Sequence, residues 1–147
     1  LSGDPDCVYV QCFDDAELRR LKHELKFPWR LVQLLGENSW NEASTNYDEL
    51  RTLDGLEKVA GWADAIGPWL PQCYEIGNDA EVLPSGLAQA AHDEGLAIHP
   101  YTFRVDELPP GFTDFDELLR FFIEDLEVDG LFTDFSDRVR KWLSARQ

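Results

Sequence analysis

Methionine is absent from this sequence, and histidine, cysteine and lysine are scarce. Among 147 residues there are three His, three Cys and thirteen basic side chains, nine of them Arg and four Lys, against 29 Asp and Glu. The net charge of −16 leaves too little positive surface to hold a nucleic-acid backbone or an anionic membrane. We read this acidity first as a solubility feature; an acidic excess with few lysines also suits a salt-rich habitat. Cys7, Cys12 and Cys73 lack metal-ligand spacing. Their odd number builds no disulfide framework, so the redox compartment stays open. No apolar run approaches the roughly 20 residues that span a bilayer. No basic stretch leads into an apolar one as in an export signal. The chain opens Leu1-Ser2-Gly3. With no Met anywhere, we read that end as cut or processed, so that a signal can lie upstream.

What is present is a globular composition, 44% hydrophobic, at a length that suits one domain with a real core. The apolar runs alternate with helical patterns. Residues 8–13 (VYVQCF) read as a buried strand in which Cys12 is a small core residue. Asp14 follows as an N-cap with Glu17 at capping-box spacing, opening a helix with Leu18, Leu21 and Leu25 on one face. Residues 30–35 (RLVQLL) are the second strand, and 36–52 a long polar stretch, functional or partly structured. A helix over 53–62 and a short strand over 64–68 follow, and 69–83 stays ambiguous. Next come a helix over 85–94, stopped by Gly95, and a fourth strand over 97–103, broken locally by Pro100. Phe115, Leu118, Leu119, Phe122 and Leu126 keep helical spacing. Residues 130–135 (GLFTDF) are the fifth strand. Ser136 caps a last helix with Val139, Trp142 and Leu143 inward.

Five short apolar strands separated by helices argue for parallel βαβ units buried on both faces. Two closures are open: a doubly wound sheet or part of a (β/α)₈ barrel. No G-x-G-x-x-G follows a strand, which weakens a dinucleotide fold. Five units are too few to close an eight-strand barrel.

Several strings together resemble the glycerophosphodiester phosphodiesterase family, of the periplasmic type. They are Val8 to Asp14 with Glu17-Leu18, then Leu31 to Leu35, and Trp40-Asn41-Glu42. They continue with Ala63-Asp64-Ala65-Ile66-Gly67-Pro68, Ala91-His92 with Gly95-Leu96, His99-Pro100-Tyr101-Thr102 and Asp129 to Phe135. The matches run in order along nearly the whole chain. The resemblance implies a TIM-type (β/α)₈ barrel, with this chain as its C-terminal part and the early strands missing. It also implies hydrolysis of glycerophosphodiesters to glycerol 3-phosphate and an alcohol, in lipid and glycerol metabolism. Two histidines in H-R and H-D motifs would act as acid and base, with a divalent cation, usually Ca²⁺, held by carboxylates. Those motifs belong to the early strands and are not found here, so they are expected upstream. The compartment it implies is periplasmic or extracellular. Ser136 stands where the family usually has Pro, and Ala65 where it has Gly.

Five residues are candidates for substrate contact: Gln11, Phe13, Gln33, Tyr101 and Arg104. Gln11 and Phe13 share one face of the first strand by its period of two, and Gln33 is read as the analogue of Gln11 on the second. By resemblance the Tyr101 position walls the substrate pocket, with core packing as the equal alternative. Arg104 is either a phosphate or glycerol contact or one half of a surface ion pair. His92-Asp93 imitates an H-D pair but lies in a helix, His99 is read as a strand or core residue, and His23 as solvated. Asp134 is a candidate cap for the last helix. Glu37, Glu42, Asp48 and Glu49 are read as a solvated loop rather than a cation site. In the alternative reading the chain is a non-catalytic scaffold, in which the two edges of an open barrel pair as a homodimer.

Overall fold

The computed structural model describes residues 8–146. Cys7 and the Leu1-Ser2-Gly3 opening lie outside them. The elements run β1 (Tyr9–Cys12), α1 (Asp15–His23), β2 (Arg30–Leu35), α2 (Tyr47–Leu50), α3 (Leu53–Ala60) and β3 (Ala65–Pro68). Then follow β4 (Tyr74–Ile76), β5 (Val82–Pro84), α4 (Leu87–Asp93), β6 (Ala97–Ile98), α5 (Phe115–Arg120) and α6 (Ser136–Ser144). The main sheet is parallel, in the order β1-β2-β3-β6.

The apolar runs of β2 and β3 become strands because both faces are covered, whereas β1, read from sequence as buried, leaves Tyr9 and Gln11 exposed on one face. On one side the helices lay down Leu18, Leu56, Val59, Ala91, Leu118 and Phe122 against Leu31, Leu35 and Ile66. On the other side Val32, Leu34 and Ala65 form a second cluster with Phe13, Ala97, Tyr101 and Phe132. That second face is concave. Tyr9 on β1 meets the ring of His99, just past β6, at 4.7 Å, and Phe13 meets Tyr101 at 5.9 Å. Four strands laid flat would hold those backbones about 14 Å apart, so the sheet must curl to bring them together. A curled, all-parallel sheet with helices on its outer side is an arc of a βα barrel in shape.

Local chemistry sets the ends. Asp14 accepts from the amides of Ala16 and Glu17 at 2.9 and 3.4 Å, as an N-cap should. Glu17 turns instead to Arg20, so the capping box is half formed. Gly95 takes φ +73° after α4, the left-handed stop its position calls for. Two aspartates staple the strand starts: Asp64 accepts from the Leu31 amide and Asp129 from the Ile98 amide, each at 2.9 Å.

Several expectations are corrected. The helix ends at His23, which leaves Leu25 exposed beyond it, and Leu143 is exposed on α6. Ser136 is the first residue of α6 rather than its cap; the cap position is Phe135, whose amide is taken by the Thr133 hydroxyl at 2.9 Å. The fifth strand is reduced to a bridge between Phe103 and Thr133, with Phe132 donating to the Pro100 carbonyl at 3.0 Å. Pro100 brings no N–H to the ladder, so β6 stops at Ile98 and resumes as single bridges. The ambiguous stretch is a 3₁₀ turn (Leu70–Gln72) followed by the antiparallel hairpin β4–β5. The polar stretch is partly structured. Asn38 reaches Asn46 and Asp48 at 3.0 and 2.7 Å and accepts from the Tyr47 amide at 2.8 Å.

Candidate functional site

The C-terminal ends of the parallel strands meet at a cavity of about 330 Å³, and in barrel-type sheets this end is where chemistry is placed. The backbone where β1 ends is fixed behind one of the lining residues, Tyr101, whose ring Phe13 meets at 5.9 Å. The Phe13 carbonyl accepts from Gln33 Nε2 at 3.1 Å, Thr45 Oγ1 at 3.1 Å and Tyr47 Oη at 3.4 Å. Burial, with Glu42 nearby, pushes the Tyr47 hydroxyl up, so it stays a donor.

The five predicted contacts separate. Phe13, half-buried, packs edge-on against Tyr47 and Tyr101 on the concave side. Gln11 is exposed on that same side, in register with Val32. Gln33 is not its analogue. It pairs in register with Cys12 and faces the helices, fully buried. Its Nε2 also donates to the Leu34 carbonyl at 3.0 Å, and its Oε1 accepts from the Trp62 indole at 3.3 Å. These bonds use the amide to tie β1, β2 and the end of α3 together, away from the concave face.

Tyr101 lines the cavity and also packs into the concave cluster. Its hydroxyl donates to the Leu35 carbonyl at 2.7 Å, and burial pushes it well above the usual phenol range. It therefore offers a ligand its ring rather than its oxygen. Arg104 also lines the cavity, but its charge is taken. Nη1 donates to Asp134 and Nη2 to Asp106, both at 2.8 Å, with the Glu107 carboxylate 3.7 Å from Nε. This is the ion-pair alternative, and it takes Asp134 away from capping α6.

The sequence reading missed the rest of the mouth. Trp40 and Trp69 meet edge to face at 5.1 Å, both more than a third exposed, beside Leu108 and Pro109. Trp40 can lie there because Gly36 has no side chain: a Cβ would sit 3.0 Å from the indole. The signal for Trp40 was its place in the W-N-E string. Trp69 fell in the ambiguous stretch. The wall at 108–110 is buttressed by the hairpin, through Tyr74 Oη donating to the Pro110 carbonyl at 2.7 Å.

The histidines stand elsewhere. His92 lies at the opposite end of the sheet and pairs with Asp129 at 3.0 Å, while Asp93 accepts from Gln89 at 2.8 Å. His99 is half-buried, and desolvation lowers its pKa although Asp129 opposes this. His23 is exposed. Three of the four loop carboxylates are engaged with bases, Glu37 with Arg51 at 2.9 Å, Asp48 also with Arg51, and Glu49 with Lys58 at 2.9 Å, while Glu42 is exposed. Among the described residues no three His, Cys, Asp or Glu side chains converge in a way that would hold a metal. No helix there is long and apolar enough to cross a membrane.

Curvature, parallel order and a mouth at the strand C-termini define an α/β protein of the βα-barrel type. The chain belongs to the glycerophosphoryl diester phosphodiesterase family, whose model matches residues 1–138. It is 33% identical over 152 residues to a glycerophosphodiester phosphodiesterase of Haemophilus influenzae, covering 90% of this chain and 41% of that protein. It is 29% identical over 154 residues to one of Treponema pallidum, covering 94% of this chain and 43% of that one. The chain thus spans about two fifths of the length of these curated relatives.

Proposed function

We propose that this chain forms the later βα units, about five, of a (β/α)₈ phosphodiesterase barrel that hydrolyses glycerophosphodiesters to glycerol 3-phosphate and an alcohol. The observation that carries this reading is the aromatic mouth around Tyr101, at the strand ends where a barrel of this family would receive its substrate. In the reaction, water adds across the phosphorus–oxygen bond to the alcohol. Phe13 and Tyr101 wall the substrate on the concave side, and Gln11 offers it an amide. Arg104 acts through its carboxylate partners rather than as a free phosphate clamp. The acid, the base and a divalent cation, expected to be Ca²⁺, belong to the family's early strands. The described residues do not fit that cation, since no three of their His, Cys, Asp or Glu side chains converge. The reading extends to a periplasmic or extracellular location.

The test is an assay of glycerol 3-phosphate release from a glycerophosphodiester with Ca²⁺ present. Fused behind the early strands of a family member, residues 8–146 should support turnover that a chelator abolishes. The 147 residues alone should give none, and metal-dependent turnover by them alone would sink this assignment of the catalytic groups. A second reading rests on β1, which among the described residues pairs only with β2 and so leaves one edge open. Two copies joined at that edge would make a non-catalytic homodimer. Light scattering should then show a mass that doubles with concentration, and a sharp monomer throughout overturns it.

A further inference from the structure

We propose that Gln72 is a positioning residue for the reaction: its side-chain amide clasps the loops that leave β2 and β3 and through them holds Trp40 and Trp69 in place. This role rests on the phosphodiesterase reading above. The two strands are paired as far as Leu35 and Pro68. Beyond that point Gly36 and Trp69 leave the ladder, with one long bond from the Trp69 amide to the Leu35 carbonyl at 3.3 Å. Gln72 takes over there. Its Nε2 donates to the Gly36 carbonyl at 2.9 Å and to Glu37 Oε1 at 2.8 Å. Its Oε1 accepts from the Trp69 amide at 3.1 Å. Both N–H groups and the oxygen of the amide are thus used. The partners also fix its orientation, since a flipped amide would set its oxygen against two acceptors.

Each indole is located through one of these bonds. Trp69 is held at its own amide. Trp40 lies against Gly36, so closely that a Cβ there would sit 3.0 Å from the indole, and it is the Gly36 carbonyl that Gln72 holds. Both indoles are more than a third exposed, so packing covers only part of each and the clasp supplies the rest of the restraint. The bond to Glu37 is the strong member of the set because its acceptor is charged. Glu37 is anchored in turn by Arg51 Nη1 at 2.9 Å, just past α2. Gln72 does not itself line the cavity, whereas Trp40, Trp69, Leu70 and Pro71 do. It acts through these neighbours.

Gln72→Met keeps the length of the side chain and removes all three bonds. Gln72→Glu keeps an acceptor for Trp69 and sets a carboxylate against Glu37. The indole N–H resonances are followed by NMR in the chain, and KM and kcat are read from glycerol 3-phosphate release by the completed barrel. Both variants should shift the indoles of Trp40 and Trp69 and leave those of Trp29, Trp62 and Trp142 in place. KM should rise about five-fold or more with kcat within about two-fold, because a displaced wall weakens substrate and transition state alike. Adding Glu37→Gln to Gln72→Glu restores an amide–carboxylate bond between the loops and should bring both readouts part of the way back. Ser85→Ala removes a 2.8 Å bond to the Gln72 main-chain carbonyl and should move neither readout. Unmoved Trp40 and Trp69 indoles, an unchanged KM, or a Ser85→Ala variant that behaves like Gln72→Met overturns the proposal. Should Gln72→Met fail to fold, Gln72→Glu and its rescue decide. A completed barrel that is inactive with Gln72 intact counts against the phosphodiesterase reading, and the substrate-free NMR arm still decides the clasp. Turnover by that barrel with KM unmoved in the variants counts against the positioning role alone.

Discussion

Replacing Gln33 with Leu would leave the Trp62 indole N–H and the Leu34 carbonyl without the partner that the fully buried Gln33 supplies, while the Phe13 carbonyl keeps Thr45 and Tyr47. Each such group costs about 1–3 kcal/mol. We expect Gln33→Leu to lower stability by about 3 kcal/mol in urea unfolding, whereas Gln11→Leu on the exposed side should barely move it. Gly67 is a second sensitive position: an added Cβ would lie 2.6 Å from Leu34 Cδ2 and 3.2 Å from the His99 carbonyl. Gly67→Ala should destabilise by about 1–3 kcal/mol on the same measurement. His99 has its pKa lowered by burial. Below its unfolded value of about 6.5 the unfolded chain takes up a proton that the folded chain refuses. Stability from this residue is therefore full above that pH and falls as the pH drops towards the folded value. The urea midpoint should fall less between pH 7.5 and 5.5 in His99→Gln than in the parent chain. At this scale the sequence was legible where a residue's type dictates its conformation, as at Asp14 and Gly95. It was not legible for the facing of Gln33, because RLVQLL is apolar on both sides of its glutamine and shows no alternation that would assign a face.

Strands β2 and β3 were readable because a strand buried on both faces writes a continuous apolar run, and β1, exposed at Tyr9 and Gln11, was readable from its β-branched and aromatic residues. The hairpin β4–β5 was not, since its three-residue strands carry Glu75, Ile76, Val82 and Leu83 with no pattern long enough to show a period. Its role appears in contacts that sequence spacing hides: Tyr74 holds Pro110, and its ring packs on Phe112 at 5.3 Å. Tyr74→Phe removes that hydroxyl bond. We expect faster amide hydrogen exchange over residues 108–112 with exchange in β1–β3 unchanged, at a cost of about 1 kcal/mol. The Asp64 and Asp129 staples show the same kind of hidden order. Each sits immediately before a chain segment that joins the sheet, binds the preceding strand's amide, and faces a base from the helix before that strand, Lys22 at 4.0 Å and His92 at 3.0 Å. The strings A-D-A-I and V-D-G-L contain them, yet nothing in either string says that its aspartate points backwards.

The whole molecule carries its −16 charge on a small body, and like charges repel more when the chain is compact than when it is expanded. Raising NaCl from about 0.05 M to about 0.5 M shortens the screening length to a few ångströms. The thermal unfolding midpoint should rise with that change, and a midpoint that falls would mean that ion pairs such as Arg104–Asp134 outweigh the repulsion. At this scale the family could be read from strings spread over the chain. The mouth could not, because Trp40, Trp69, Tyr101 and Glu107 come together only when the sheet curls.

That curl has a further consequence. Tyr9 and His99 touch across the concave face without any strand from outside the described residues. The radius of the arc is therefore already set by this chain's own side chains. A complementary set of strands would meet a template of fixed shape, and joining the two would be a docking of preorganised surfaces rather than a joint folding event, with less conformational freedom left to lose on association.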